Sequence, residues 1–308
     1  MHNRCMQPVR ISFNILHLAL AGVALAQGGA ALTDWQLHYR TGEDLLGKGR
    51  AAEARVELEL ALAGAGIEGK GAILDALGRA ELEGGRYREA KRRFEASAAL
   101  WVPQTRPWAV ALNNLGLACL ELQEYAHAEA LLVQALTVLH GEARPWQSLG
   151  QAQLFRGRTR QSAESFQRAL SLAGPGLAPL IASDLAGVLR AKRQYVKAAA
   201  ILEEAIAGAG AGQARARMRA NLGLLCVKLK DKRRAVEQLR SALTEMESAV
   251  GERHPDVAAI LEIYQDVLRG AGQKPEAAAA ARRAAEIRSS FVRHTGDRRV
   301  SVDWRDLR

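Results

Sequence analysis

The sequence predicts an all-α solenoid of about seven antiparallel helix pairs, and three observations predict it. First, small residues recur as pairs seven apart around a large apolar one. The trios are Ala54/Ala61 around Leu58, Ala90/Ser97 around Phe94, Ala128/Ala135 around Leu132, Ser162/Ala169 around Phe166, Ala198/Ala205 around Leu202 and Ala235/Ala242 around Leu239. A seventh, Ala277/Ala284, carries only Ala281 at its centre. This i, i+4, i+7 spacing puts each trio on one helical face. Second, successive trios lie 36, 38, 34, 36, 37 and 42 residues apart, a period that belongs to stacked supersecondary units. Third, Gly42, Gly78, Gly116, Gly150, Ala186, Gly223 or Gln265 stands twelve residues before each trio. In an alanine-rich chain the first pattern alone would be weak; its phase lock to the third makes it strong.

The segments follow in order. Arg4 and Arg10 precede an apolar run over residues 11–26, which ends Ala24-Leu25-Ala26. A charged start, a short apolar core and a small-x-small end describe a secretory signal peptide. The run contains Asn14 and His17 and is short for a membrane span. Cleavage after Ala26 is therefore expected, with retention as an anchor the alternative. Residues 27–34 read as a linker and 35–290 as the repeat array. Pair one has Gly42, a turn at Gly49 and the Leu58 trio; pair two has Leu77-Gly78, Gly85, Tyr87 and the Phe94 trio. Pair three carries a helical stripe of Leu112, Leu115, Cys119 and Leu120 around Gly116, then Tyr125. Pair four has Trp146, Leu149, Gly150, Gly157, the Phe166 trio and Pro175 just beyond. Pair five has Ala186 and Tyr195; pair six has Leu222, Gly223, Leu225 and Cys226. Pair seven follows the connector from Gly251 to Ala258 and departs from the pattern at Gln265 and Ala281, as a terminal capping unit should. Mid-helix Gly116 and Gly223 each cost roughly 1 kcal/mol against alanine, which a close helix crossing would justify. After Ser290 the period stops, and residues 291–308 form a basic tail with Val300, Val302 and Trp304 alternating.

These residues resemble the tetratricopeptide repeat, whose outline is W-x2-L-G-x2-Y, then A-x3-F-x2-A, then P. The fourth unit supplies Trp146, Leu149, Gly150, Phe166, Ala169 and Pro175, and the second Leu77, Gly78, Tyr87, Ala90 and Phe94. The last, longer repeat, with its Gly251-Glu252-Arg253-His254-Pro255 connector, looks like those of kinesin light chains and related bacterial proteins. The resemblance implies a right-handed superhelix in which the first helices line a concave, partner-binding groove.

Sites that look chemical have structural readings. Gly64-Ala-Gly-Ile-Glu-Gly69-Lys70 approaches a phosphate loop but continues with Gly71 where Ser or Thr is needed, and no strand precedes it. It reads as a flexible connector. His254-Pro255-Asp256 spells the J-domain tripeptide without the basic hairpin around it. It reads as a helix start, with Pro255 at the first position and Asp256 favouring the dipole. The histidines show no metal-ligand spacing, and no nucleophile motif appears. Cys119 and Cys226 occupy one repeat position three units apart, too far for a disulfide, and read as small buried apolar residues. No catalytic site, cofactor or metal is expected.

By resemblance, the inward positions lie around the signature Gly; two residues before it the family often places an Asn that grips the ligand backbone. Asn114 and Asn221 stand there, with Asp184 in unit five. Neighbouring positions add Asn113, Gln147, Gln151, Arg79, Arg190, Arg217 and Lys228. A side-chain amide offers donor and acceptor alike, which suits any peptide backbone, and the basic members suit an acidic or carboxylate-bearing partner. The expected function is a non-catalytic protein- or peptide-binding scaffold in an exported, periplasmic or secreted bacterial protein. The alternative is a structural or assembly factor of the cell envelope, held by its basic surface to anionic partners. With 43 Lys and Arg against 33 Asp and Glu the chain carries +10, and losing Arg4 and Arg10 would leave +8. Nucleic acid is disfavoured, since aromatics are 5% of the chain and offer few stacking platforms. A membrane enters only through an uncleaved N-terminal segment or the basic surface.

Overall fold

A computed structural model describes residues 32–295 of the 308. The expected signal peptide, its cleavage point and residues 296–308 of the tail lie outside them. Fourteen α-helices account for the described residues, and no strand occurs among these. They run α1 Asp34–Gly47, α2 Ala51–Gly64, α3 Ile67–Glu83, α4 Tyr87–Leu100, α5 Arg106–Glu121, α6 Tyr125–Leu139, α7 Ala143–Phe155 and α8 Thr159–Leu172. Beyond these come α9 Ala178–Ala191, α10 Tyr195–Gly208, α11 Gln213–Lys228, α12 Lys232–Val250, α13 Pro255–Gly270 and α14 Lys274–Thr295. Each odd-numbered helix packs on the even-numbered helix after it. No described helix is long and apolar enough to cross a membrane.

The chain forms two compact units, one ending at Leu172 and the other beginning at Ala173. The sequence reading expects a single uninterrupted array over 35–290. The division falls at Gly174-Pro175-Gly176, where two flexible residues flank one that cannot continue a helix. Four helix pairs fall in the N-terminal unit and three in the C-terminal unit.

Close approach within each pair explains the signature. Ala54, Leu58, Ala61, Ala90, Phe94, Ser97, Ala128, Leu132, Ala135, Ser162, Phe166 and Ala169 are all fully buried. A Cβ built on Gly42 would stand 2.6 Å from Leu58, on Gly78 2.6 Å from Phe94, on Gly116 2.9 Å from Leu132, on Gly150 2.9 Å from Phe166 and on Gly223 2.8 Å from Leu239. The glycine on the first helix is thus the hole that receives the large side chain sixteen residues later. Where the seventh unit carries Gln265 in place of Gly, its partner shrinks to Ala281.

All seven turns within pairs use one geometry. Residues 49, 85, 123, 157, 193, 230 and 272 take positive φ, and three of them are Gln123, Arg193 and Lys230. In every turn the next backbone N–H bonds to a carbonyl five residues back, as in Glu124 to Cys119 at 2.8 Å and Asp231 to Cys226 at 2.9 Å. That is the Schellman helix stop. The 42-residue step is absorbed by α12, whose nineteen residues exceed the fourteen of α10 and bury Met246. At the chain's end α14 continues through Thr295, so the first five residues of the expected tail are helical.

Candidate functional site

All ten predicted groove residues, the buried Arg79 among them, lie on first helices, but the two units treat them differently. In the N-terminal unit, α1, α3 and α5 present a buried polar network instead of an open asparagine ladder. Asn114 is fully buried; its amide donates to Asp75 Oδ1 at 2.9 Å, and its carbonyl accepts from Asn113 at 3.2 Å. The Arg79 guanidinium lies 3.4 Å from Asp75 Oδ2 and pairs with Glu43. Burial pushes the Asp75 carboxyl up to about 6, against the pull of Arg79 and the Asn114 hydrogen bond. Burial, together with Glu43, likewise raises Tyr39. The expectation that Asn113 and Asn114 grip a ligand is therefore corrected: both are inside, and both polar ends of Asn114 are engaged by the protein itself. Spacing identified the face of the helix, but not that Asp75, thirty-nine residues away, would meet Asn114 there. Gln147 and Gln151 are half-buried on α7.

In the C-terminal unit, two predicted residues do come together. Arg190 at the end of α9 and Asn221 in the middle of α11 line one pocket with Ser183, Ala186, Gly187, Leu202, Leu224 and Leu225. Ser183, Gly187 and Arg190 follow the i, i+4, i+7 rule along α9. The cavity holds about 30 Å³, room for little more than a water molecule. It fits the tip of a side chain rather than a small-molecule cofactor. Among the described residues the Arg190 guanidinium has no hydrogen-bond or ion-pair partner. Burial holds its pKa below the ordinary arginine value, with Tyr195 pulling the other way. Arg190 is thus a half-buried cation that shares its pocket with the Asn221 amide and with the Ser183 hydroxyl, which donates to the Pro179 carbonyl at 2.9 Å.

The other predicted residues are placed elsewhere. Arg217 donates to Asp256 at 2.8 Å, and Gln213 to the same oxygen at 2.7 Å, tying α11 to the start of α13. Burial alone would raise the Asp256 carboxyl, but these bonds outweigh it and hold it low. Arg217 is thus a strut. Lys228 is exposed at the end of α11, and Asp184 is half-buried on α9. Much of the expected basic surface is neutralised across repeats. Lys91 pairs with Glu124, Arg93 with Glu59, Arg234 with Glu203 and Arg283 with Glu247. The glycine-rich stretch is only partly a connector: Gly69 and Gly71 lie inside α3, where a Cβ would meet Trp35 at 2.8 Å and Trp101 at 2.7 Å. Glycine stands there to seat two indole rings. His254-Pro255-Asp256 does open a helix, with His254 Nδ1 accepting from the Asp256 N–H at 3.2 Å.

One family model described as tetratricopeptide repeat matches residues 76–144 and 148–214, and a second of the same description matches 215–256. The chain belongs to the tetratricopeptide repeat family. It is an all-α solenoid of that type, and such repeats serve as scaffolds for protein partners. Among solved structures, a chain reported from a characterisation of Pseudomonas aeruginosa pilF is similar at 23% identity, covering 68% of this chain and 90% of that one with a TM-score of 0.56. A chain of the APC/C hetero-tetramer Cut9–Hcn1 is similar at 18% identity, covering 86% of this chain but only 47% of that one, with a TM-score of 0.60. At these identities the likeness is one of fold. No curated protein matches the chain. The tetratricopeptide architecture explains why the pocket sits between α9 and α11: first helices of adjacent units are neighbours.

Proposed function

We propose that this tetratricopeptide protein is a non-catalytic scaffold whose C-terminal unit captures a carboxylate of a protein or peptide partner between α9 and α11. The carrying observation is Arg190, half-buried, unpaired among the described residues and sharing its pocket with Asn221. Arg190 supplies charge and a fork of donors, while Asn221 supplies an amide that reads a neighbouring peptide group. We place the protein outside the cytoplasm of a bacterium, with its first 26 residues removed as a signal peptide; N-terminal sequencing of the mature protein tests this. The binding test is fluorescence anisotropy with a Glu-rich peptide and its Gln-substituted counterpart. Losing a charge-assisted hydrogen bond costs about 1.5–3 kcal/mol, so Arg190→Ala should weaken the Glu peptide about tenfold or more. Equal binding of both peptides, or indifference to Arg190→Ala and Asn221→Ala, would refute the reading.

A second reading, envelope attachment through charge, is favoured by Lys228, Lys230 and Arg233, which are exposed around the turn between α11 and α12. Charge-driven association collapses between low and moderate salt. Binding in the Arg190 pocket should largely survive it, so a salt titration separates the two.

A further inference from the structure

The turn between α5 and α6 gathers three metal-ligating side chains that linear spacing does not announce. Cys119 lies in the apolar stripe of α5, Glu124 stands at the N-cap position of α6, and His127 lies in the first turn of α6. Their ligand atoms all fall within 4.8 Å of one another. Cys119 Sγ is 3.7 Å from His127 Nδ1, and that nitrogen is 3.6 Å from Glu124 Oε2. In a tetrahedral zinc site, with Zn–S near 2.3 Å and Zn–N or Zn–O near 2.0–2.1 Å, neighbouring ligand atoms stand about 3.3–3.6 Å apart. The two edges that meet at His127 Nδ1 are therefore already close to tetrahedral length, and the third is within 4.8 Å.

We propose that Cys119, Glu124 and His127 bind a zinc-class divalent cation, with the fourth position open to water. The donor set of thiolate, imidazole and carboxylate suits a borderline-soft ion. The glutamate and histidine side chains are 39% and 48% exposed, so an ion reaches the site from solvent while the sulfur approaches from the core. Two groups oppose binding. Lys91 Nζ stands 2.5 Å from Glu124 Oε2, and burial holds the Cys119 thiol protonated, pushed up to about 12. The cation takes the place of Lys91 as counter-ion and, by coordinating sulfur, releases the thiol proton to water, one per ion bound.

The repeat supplies its own control. Cys226, Asp231 and Arg234 occupy the positions of Cys119, Glu124 and His127, each 107 residues further along. There a guanidinium replaces the imidazole and pairs with Glu203 at 2.7 Å. The C-terminal copy thus has the cysteine and the carboxylate but no third ligand.

The test titrates the full chain with Co²⁺, a spectroscopic stand-in for zinc, and reads thiolate-to-metal charge-transfer absorption together with protons released. One equivalent of signal should appear in the wild type and in a Cys5→Ala/Cys226→Ala background, where Cys119 is the sole thiol. His127→Ala and Cys119→Ala should abolish it, and Glu124→Gln should weaken binding about tenfold. His127 lies at the surface, so its substitution leaves the fold intact, as circular dichroism verifies. Absence of the band in the wild type, its survival in His127→Ala, or its loss on replacing Cys226 alone would overturn the proposal.

Discussion

Replacing Gly78 with alanine tests the claim that the signature glycine is a hole rather than a hinge. A Cβ at Gly78 would lie 2.6, 2.7 and 2.8 Å from three ring atoms of Phe94. That ring is fully buried between Ala90 and Ser97, which are fully buried too, so it has nowhere to move. Overpacking of a tight core costs about 1–3 kcal/mol, and three contacts this short belong at the upper end. Against it stands a gain of about 1 kcal/mol from removing glycine from a helix interior. The net loss is about 2 kcal/mol, or a Tm about 4–8 °C lower at about 2–4 °C per kcal/mol in a domain of this size. Gly187, also inside a first helix, has nothing within 4 Å of its would-be Cβ. Gly187→Ala should therefore keep the helix gain alone and raise Tm by about 2–4 °C. Thermal melts followed by circular dichroism compare the two, and Phe94→Ala completes a double-mutant cycle. Phe94→Ala alone should cost about 3–5 kcal/mol, and the double mutant should fall short of the summed losses, because truncating the ring empties the space the methyl needs. If Gly78→Ala and Gly187→Ala shift Tm alike, or the cycle is additive, the hole explanation is wrong.

Two further outcomes follow from the same geometry. Gln123, Arg193 and Lys230 take φ of 62°, 58° and 64° where four sister turns carry glycine; each substitution to glycine should stabilise by about 0.5–1 kcal/mol, the left-handed penalty less the entropy of glycine, and urea midpoints that fall instead would count against it. Asp75, raised to about 6 by burial, disfavours its own ionised form in the folded state. Its stabilising, protonated form is complete below the unfolded value near 3.9 and is lost as pH rises through about 6. Asp75→Asn should therefore gain on the wild type between pH 4 and pH 7, by up to about 3 kcal/mol at about 1.4 kcal/mol per unit. A stability difference between the two proteins that is identical at both pH values would show that Asp75 does not titrate there.

Much of this molecule is local in sequence, and that part was legible. The small-large-small trios and the glycines twelve residues upstream placed both helices of every pair, because a helix repeats its face every few residues whatever surrounds it. Four of the seven turns announced themselves by glycine. The turns at Gln123, Arg193 and Lys230 did not, since the Schellman geometry there is imposed by the helices on either side rather than by the residue. The division after Leu172 was written as Gly174-Pro175-Gly176, but reads as one more connector until the packing is seen.

Tertiary packing alone sets which side chains face one another across units. Nothing in the spacing of Asn114 says that Asp75, one repeat earlier, will occupy its amide, while Asn221 in the same repeat position shares an open pocket with Arg190. Nor does a Cys-x4-Glu-x2-His sequence reveal that a helix stop will fold its imidazole back over its sulfur. Period fixes where a residue sits on its own helix; its partner is set by the neighbouring helix, whose residues vary from unit to unit. The sequence alone thus determined a stack of helix pairs made for binding. Packing between the first helices determined that Asn114 is bonded to Asp75 inside the N-terminal unit, whereas Asn221 lines a pocket with an Arg190 that has no hydrogen-bond or ion-pair partner among the described residues.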